Sequence, residues 1–480
     1  MSSLTGKRGN VLLLTTSLAA FLTPFISSAV SFGVPRIGVF FHLNFYEAAL
    51  VPLTLLIPLA SFMFLFGKLS DELGRVKFFR LGLVIFSIAS FLSPFTRNFY
   101  ELVVALFVLG MGSAMLSTNS TAIVSYAYSE KDRGFALGIN AMSVYLGLTT
   151  APVLGGLLIE FFGWQSLFFM IIPIALLSLL ISFFSFKGLE LKKTSSNINV
   201  LGSGVFAVAI LSIALLLSLG NVLGFLKMSF LLLIFVVFLV LFIRDEVTSK
   251  NPVIPINLLK DNRTFIASNI TAFLNYFSTF SIVFVFSIYL QVILHVSPFI
   301  SGLLLLPEPL LMVALSPVAG RLSDIFGSRS IASIGMVLIG LSFLSFFYFS
   351  RIGEIGLMVL LAILGIGFGL FSAPNTNSVM GSVGRENSGI ASGFLGTMRF
   401  MGQLASIILA TLVLSLYMPK SLIVGMFSGI YVQITPQYFS SFLVGFRITM
   451  IISAILSLVG AVTSLMRSKK GTNSSVPHPH

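Results

Sequence analysis

The sequence contains no cysteine, and only 9% of its 480 residues are charged. Without cysteine there are no disulfides and no thiolate-held metals. The four histidines form no ligand cluster; His478 and His480 fall in a polar tail, Gly471 to His480, that reads as disordered. No Gly-x-x-x-x-Gly-Lys-Ser/Thr loop occurs, which argues against direct use of ATP. No nucleophile with a base beside it stands out, so no catalytic residue, metal or cofactor is expected. Soluble domains carry roughly 25% charged residues, and single soluble cores stop growing near roughly 250–300 residues. A chain this poor in charge needs another solvent for its apolar surface.

That surface is abundant, at 56% hydrophobic residues. Runs of about 20 apolar residues recur, each long enough to cross a hydrocarbon layer roughly 30 Å thick. Barrel strands would show short alternating segments instead. Fourteen spans are predicted, at 10–33, 46–66, 77–96, 100–126, 134–160, 164–186, 200–220, 225–243, 264–291, 297–319, 330–350, 355–378, 388–417 and 442–466. The fold class is therefore an all-α membrane protein. Most of the 28 basic residues fall in alternate loops, Lys68, Arg75, Lys77 and Arg80 in one, Lys187, Lys192 and Lys193 in another. The positive-inside rule explains the net charge of +13 and places both termini in the cytoplasm. A nucleic-acid partner is not needed to account for it. The start, Met1 to Asn10, reads as the lead into a first span that stays, because no cleavage site leads into a soluble domain.

The chain repeats itself. Gly67-Lys-Leu-Ser-Asp-Glu-Leu-Gly-Arg75 returns as Gly320-Arg-Leu-Ser-Asp-Ile-Phe-Gly-Ser-Arg329, each copy after a hydrophobic hairpin. Gly67, Gly74, Gly320 and Gly327 suit tight turns and close helix approach, and Asp71, matched by Asp324 in the second copy, suits helix capping or pairing with a nearby basic residue. Two halves on one plan imply a path between them. The expected organisation is a six-span bundle over 10–186, two inserted spans with linkers over 187–262, a second six-span bundle over 263–466, and the tail 467–480. Lys227 is the only ionisable group in or between the inserted spans.

These paired loops resemble the signature of the major facilitator superfamily. Gly147-Leu-Thr-Thr-Ala151-Pro152-Val-Leu-Gly155-Gly156 in span 5 is similar to that superfamily's antiporter motif, with Ala151 in place of one glycine. Tyr289-Leu-Gln291, Ser297 to Pro307, Asn387 to Gly393 and Arg399-Phe-Met-Gly402 resemble its fourteen-helix drug:proton antiporter branch. The resemblance implies two rocking bundles that export small lipophilic molecules across the cell membrane against inward proton flow. Two departures weigh against simple transfer: Ile26 and Leu106 stand where the branch carries an acidic residue and an arginine.

Among buried charges, Glu308 stands between Pro307 and Pro309 near the middle of span 10. A mid-bilayer charge costs roughly 2.5–3.5 kcal/mol, so Glu308 is expected to face water, meet a partner or stay protonated. It is the candidate proton- and cation-carrying group, or else a structural ion-pair partner of Arg399 in span 13; Arg399 is itself a candidate to neutralise Glu308, bind an anionic substrate or hold two helices in register. Asn275, Asn375 and Asn377 are candidates for a substrate cavity, and any one of them is equally read as interhelical glue. Glu47, Glu101 and Glu160 are expected at interfaces. The alternatives are a carrier or uniporter for a single metabolite and a non-transporting sensor or scaffold; the sequence leaves oligomeric state open.

Overall fold

The computed structural model describes residues 7–128, 130–187, 199–249, 262–347, 353–383, 388–419 and 436–468. The polar tail from 469, Arg385 and Asn387, and Lys192, Lys193, Lys250 and Lys260 lie outside the described residues, as do the side chains of Asp71 and Asp324. Backbone polar groups in hydrocarbon must satisfy one another, which restricts long apolar runs to helices. Among the described residues, fourteen helices are long and apolar enough to cross a membrane. Spans 1 to 7 are Gly9–Phe41, Phe45–Ser70, Arg75–Phe95, Phe99–Val124, Ile139–Phe162, Ser166–Ser185 and Leu201–Gly220. Spans 8 to 14 are Phe225–Thr248, Arg263–Ile293, Pro298–Ser323, Ser328–Ser345, Gly353–Gly381, Ala391–Tyr417 and Tyr438–Leu465. An even number of such helices puts Lys7 and Ser468 on one face, called here the terminal face.

Polar residues just outside the runs set where helices begin. Asn44 accepts from the Glu47 backbone at 2.9 Å while Glu47 accepts from the Asn44 backbone at 2.9 Å, a reciprocal cap on span 2. Asn98, Asn199 and Asn262 cap spans 4, 7 and 9, each side chain accepting from the backbone N–H three residues on.

Span 10 departs from the continuous helix expected over 297–319. It runs as two helices, Pro298–Leu305 and Pro307–Phe326, joined at Leu306. Pro307 offers no N–H and crowds the carbonyl one turn back, so the chain tightens locally and Leu306 bonds to the Leu303 carbonyl at 3.2 Å. Glu308 therefore belongs to the first turn of the second helix, not to the middle of one rod. Span 9 is also segmented and ends in a π-turn, Tyr289–Ile293.

Spans 1 to 6 pack on one another, chiefly 1 on 5 and 6, 2 on 4 and 3 on 4. Spans 9 to 14 do likewise, with 10 and 11 on 12, 9 on 13 and 11 on 14. The two six-helix bundles meet where span 5 crosses 10, span 2 crosses 13 and span 1 crosses 9. The inserted pair is peripheral: span 7 lies along span 2, and span 8 leans on span 7. The far side of span 8 exposes Leu233, Val236 and Val240.

Candidate functional site

The two repeated loops have matching local geometry. Ser70 Oγ donates to the Gly67 carbonyl and Ser323 Oγ to the Gly320 carbonyl, each at 2.7 Å. Gly74 and Gly327 then turn the chain at φ of +105° and +85°, a region that penalises any side chain. Arg75 opens span 3 and reaches the Ala122 carbonyl at 3.4 Å, near the end of span 4. Ser328, the extra residue of the second copy, becomes the first residue of span 11 and so moves Arg329 on by one helical position. That is a rotation of roughly 100° relative to Arg75.

The glycines of span 5 fall into two rows. Gly147 lies against the span 1 backbone, where an added Cβ would be 2.6 Å from the Phe21 carbonyl oxygen, and Gly155 packs on Leu167 and Ala29. Gly156 faces the other bundle: its Cβ would stand 2.4 Å from the Pro298 carbonyl oxygen. Span 10 reciprocates, since a Cβ on Gly302 would stand 2.2 Å from the Pro152 carbonyl oxygen. Side-chain-free surfaces on both partners let the two backbones touch. Further bonds join the two bundles away from the terminal face. Glu160 accepts from the Phe299 N–H at 2.9 Å, and Gln291 donates to the Phe32 carbonyl at 3.2 Å.

A cavity of about 60 Å³ lies between the bundles, below that seam. Spans 1 and 5 contribute Ser28, Ser31, Leu148 and Pro152 to its wall; span 9 contributes Tyr276, Thr279, Phe280 and Val283. Spans 10, 12 and 13 complete it with Leu305, Glu308, Pro309, Met312, Phe368 and Gln403. Glu308 is the one charged side chain in this lining. Its residual exposure is to the cavity, and among the described residues no hydrogen bond or ion pair engages its carboxylate. Its backbone is clamped: a Cβ on Gly365 of span 12 would meet the Glu308 carbonyl oxygen at 2.2 Å. Thr149 of span 5 donates to the neighbouring Pro309 carbonyl at 3.1 Å.

Arg399 does not pair with Glu308. Its Nη2 donates to Thr376 Oγ1 at 2.7 Å, and its guanidinium lies 5.8 Å from the Tyr276 ring centre. Ser372 of span 12 is bonded to the Tyr145 hydroxyl of span 5. That bond links Tyr145 in the first bundle to Ser372 in the second. The amide candidates lie off the cavity. Asn275 is buried against Met336, its amide 3.4 Å from the sulfur, and Asn375 is bonded to Arg467. Asn377 is exposed. Ile26 and Leu106 are 0% exposed in the apolar core. Gln403 and the ring residues of the cavity escaped the sequence reading. A lone glutamine in the apolar run of span 13 was the available signal for Gln403; no pattern singles out Tyr276, Phe280 or Phe368 among 50 phenylalanines and 11 tyrosines.

Two six-helix bundles around a central cavity, with paired loops at one face, define a membrane transport protein. The sequence profile of the Major Facilitator Superfamily matches residues 16–407 and, in a second match, 269–479. The chain belongs to that superfamily, whose members are transporters and not enzymes. A riboflavin transporter, RibZ of Clostridioides difficile, is 27% identical over 466 residues, covering 97% of this chain and 98% of that protein. The multidrug resistance protein Stp of Mycobacterium tuberculosis is 25% identical over 81% of this chain and 73% of its own length. The multidrug transporter protein MdtP of Bacillus subtilis is 25% identical over 81% of this chain and 72% of its own. Among solved structures, a bacterial homologue of the human lysosomal transporter Spinster, inward-facing and unoccupied, superposes with a TM-score of 0.64 at 14% identity. It covers 97% of this chain and 100% of that one.

Proposed function

We propose that the chain is a proton-coupled exporter of lipophilic, cationic drug-like compounds, with both termini in the cytoplasm and Glu308 as the coupling group. The supporting observation is that Glu308 is the one charged residue among those lining an inter-bundle cavity. A carboxylate there can hold a proton or attract a substrate cation, and holding one displaces the other. That exclusion is the minimum an antiporter requires. Drug-sized ligands occupy roughly 300–1,000 Å³, so the cavity of about 60 Å³ must widen as the bundles part. The close glycine contacts of spans 5 and 10 supply a seam that can open without unthreading side chains. Arg399 holds span 13 to span 12 beside Tyr276 and acts as a positioning residue for the cavity wall.

The test is proton release on binding. In weakly buffered detergent solution, a lipophilic cation added to the wild type releases close to one proton per molecule bound, and Glu308→Gln releases none. Equal release from both proteins would remove Glu308 from coupling.

A second reading rests on the same wall. Tyr276, Phe280 and Phe368 with the Gln403 amide suit a flat ring system bearing hydrogen-bonding edges, and RibZ covers almost the whole chain. Saturation by one planar metabolite, with no competition from unrelated dyes, would favour that single-solute carrier.

A further inference from the structure

Just past span 14 the chain tucks a guanidinium into the protein. Arg467 is 2% exposed, although Met466 and Ser468 on either side of it are exposed. Its Nη2 donates to Asn375 Oδ1 of span 12 at 2.5 Å. Among the described residues its buried Nε and Nη1 find no acceptor, and neither does the Nδ2 of Asn375, itself 1% exposed. Three orphan donor nitrogens therefore sit on two hydrogen-bonded side chains, and an amide and a guanidinium are small rigid planes. Among the described residues no carboxylate pairs with Arg467, and burial alone pushes it down to about 9.

Leaving this charge uncompensated costs several kcal/mol. Water would satisfy the N–H groups and leave the charge as it is; an anion satisfies both. Arg399, bonded to Thr376 on the same helix as Asn375, likewise has an Nε with no acceptor among the described residues. Neighbouring helix ends hold the arrangement. Ser464 donates to the Arg329 carbonyl at 3.4 Å, and the Ser468 N–H donates to Thr264 at 3.2 Å.

We propose that Arg467 and Asn375 form a binding site for a small inorganic anion of halide size, at the terminal face of the second bundle between spans 12 and 14. The near-complete closure of Arg467 selects against a phospholipid phosphate, whose two ester arms need an open route. The bound anion neutralises the guanidinium and ties span 14 to span 12.

The experiment follows the thermal unfolding midpoint of the purified full-length protein in neutral detergent at constant ionic strength, with sodium chloride or bromide exchanged for sodium gluconate. The midpoint rises saturably with either halide and not with gluconate. Arg467→Gln weakens the apparent halide affinity at least tenfold. Asn375→Asp, which supplies a carboxylate of nearly the same shape, gives a midpoint that no longer responds to halide, and it keeps the test open should Arg467→Gln fail to fold. Arg447→Gln, which removes a cation stacked 5.2 Å from the Phe347 ring, keeps the wild-type halide response. Equal midpoints in chloride and gluconate would overturn the proposal. So would a halide response surviving in both Arg467→Gln and Asn375→Asp. A midpoint raised by anionic phospholipid or inorganic phosphate, and not by chloride, would overturn the halide assignment.

Discussion

Gly302→Ala probes the seam with one methyl group. Its Cβ would lie 2.2 Å from the Pro152 carbonyl oxygen and 2.8 Å from the carbonyl carbon. Both are backbone atoms, so no side chain can swing aside, and spans 5 and 10 must separate by roughly 1 Å to regain ordinary contact. Overpacking of this kind costs about 1–3 kcal/mol. If the contact forms only while this side is shut, that cost falls on the shut state alone. Opening then becomes roughly 5- to 150-fold more favourable. The absence of cysteine allows a clean readout. A single Ser28→Cys in the cavity wall is labelled by a membrane-impermeant maleimide supplied from the side away from the termini. The rate rises at least fivefold in Gly302→Ala and stays at its starting value in Gly320→Ala, where the added Cβ meets nothing within 4 Å. An unchanged rate in a folded Gly302→Ala protein would refute the idea that this contact is the closed seam.

Three further outcomes follow from the same contacts. Arg399→Gln loses a charged hydrogen bond to Thr376 and a cation beside Tyr276; it lowers stability by about 1.5–3 kcal/mol, read as a fall in the unfolding midpoint that Arg399→Lys partly restores. Gly74→Ala and Gly327→Ala force a side chain into positive φ and cost about 1–2 kcal/mol each, whereas Gly320→Ala costs nothing measurable in the same assay. Glu160→Gln exchanges a charged acceptor for a neutral one at the Phe299 N–H, weakening the seam by about 0.3–1 kcal/mol and raising Ser28→Cys labelling less than Gly302→Ala does.

The spans were legible because each is written in one stretch of sequence. Apolar length marks a crossing, and Asn44, Asn98, Asn199 and Asn262 mark where helices start. The paired loops were legible for the same reason: the turn at Gly74 or Gly327 needs nothing beyond its own neighbours. The flanking prolines announced a disturbance at Glu308, but only the structure shows the break at Leu306 that makes Glu308 a first-turn residue. Partners across the fold were not legible. Arg399 finds Thr376 instead of Glu308, and Arg467 finds Asn375 across a sequence gap of 92 residues. Both choices depend on which faces of spans 12, 13 and 14 meet, and that is set by the whole fold rather than by any one stretch of sequence. Span 5 shows the intermediate case: its small residues were visible, but their division into a row facing span 1 and a row facing span 10 was not.

Proton-coupled export through Glu308 is tested most directly in liposomes carrying an imposed pH gradient, with several fluorescent lipophilic cations and both wild type and Glu308→Gln. The account predicts gradient-driven movement of chemically unrelated dyes by the wild type and none by a folded Glu308→Gln protein. Transport that ignores the gradient, or that Glu308→Gln retains in full, would contradict it.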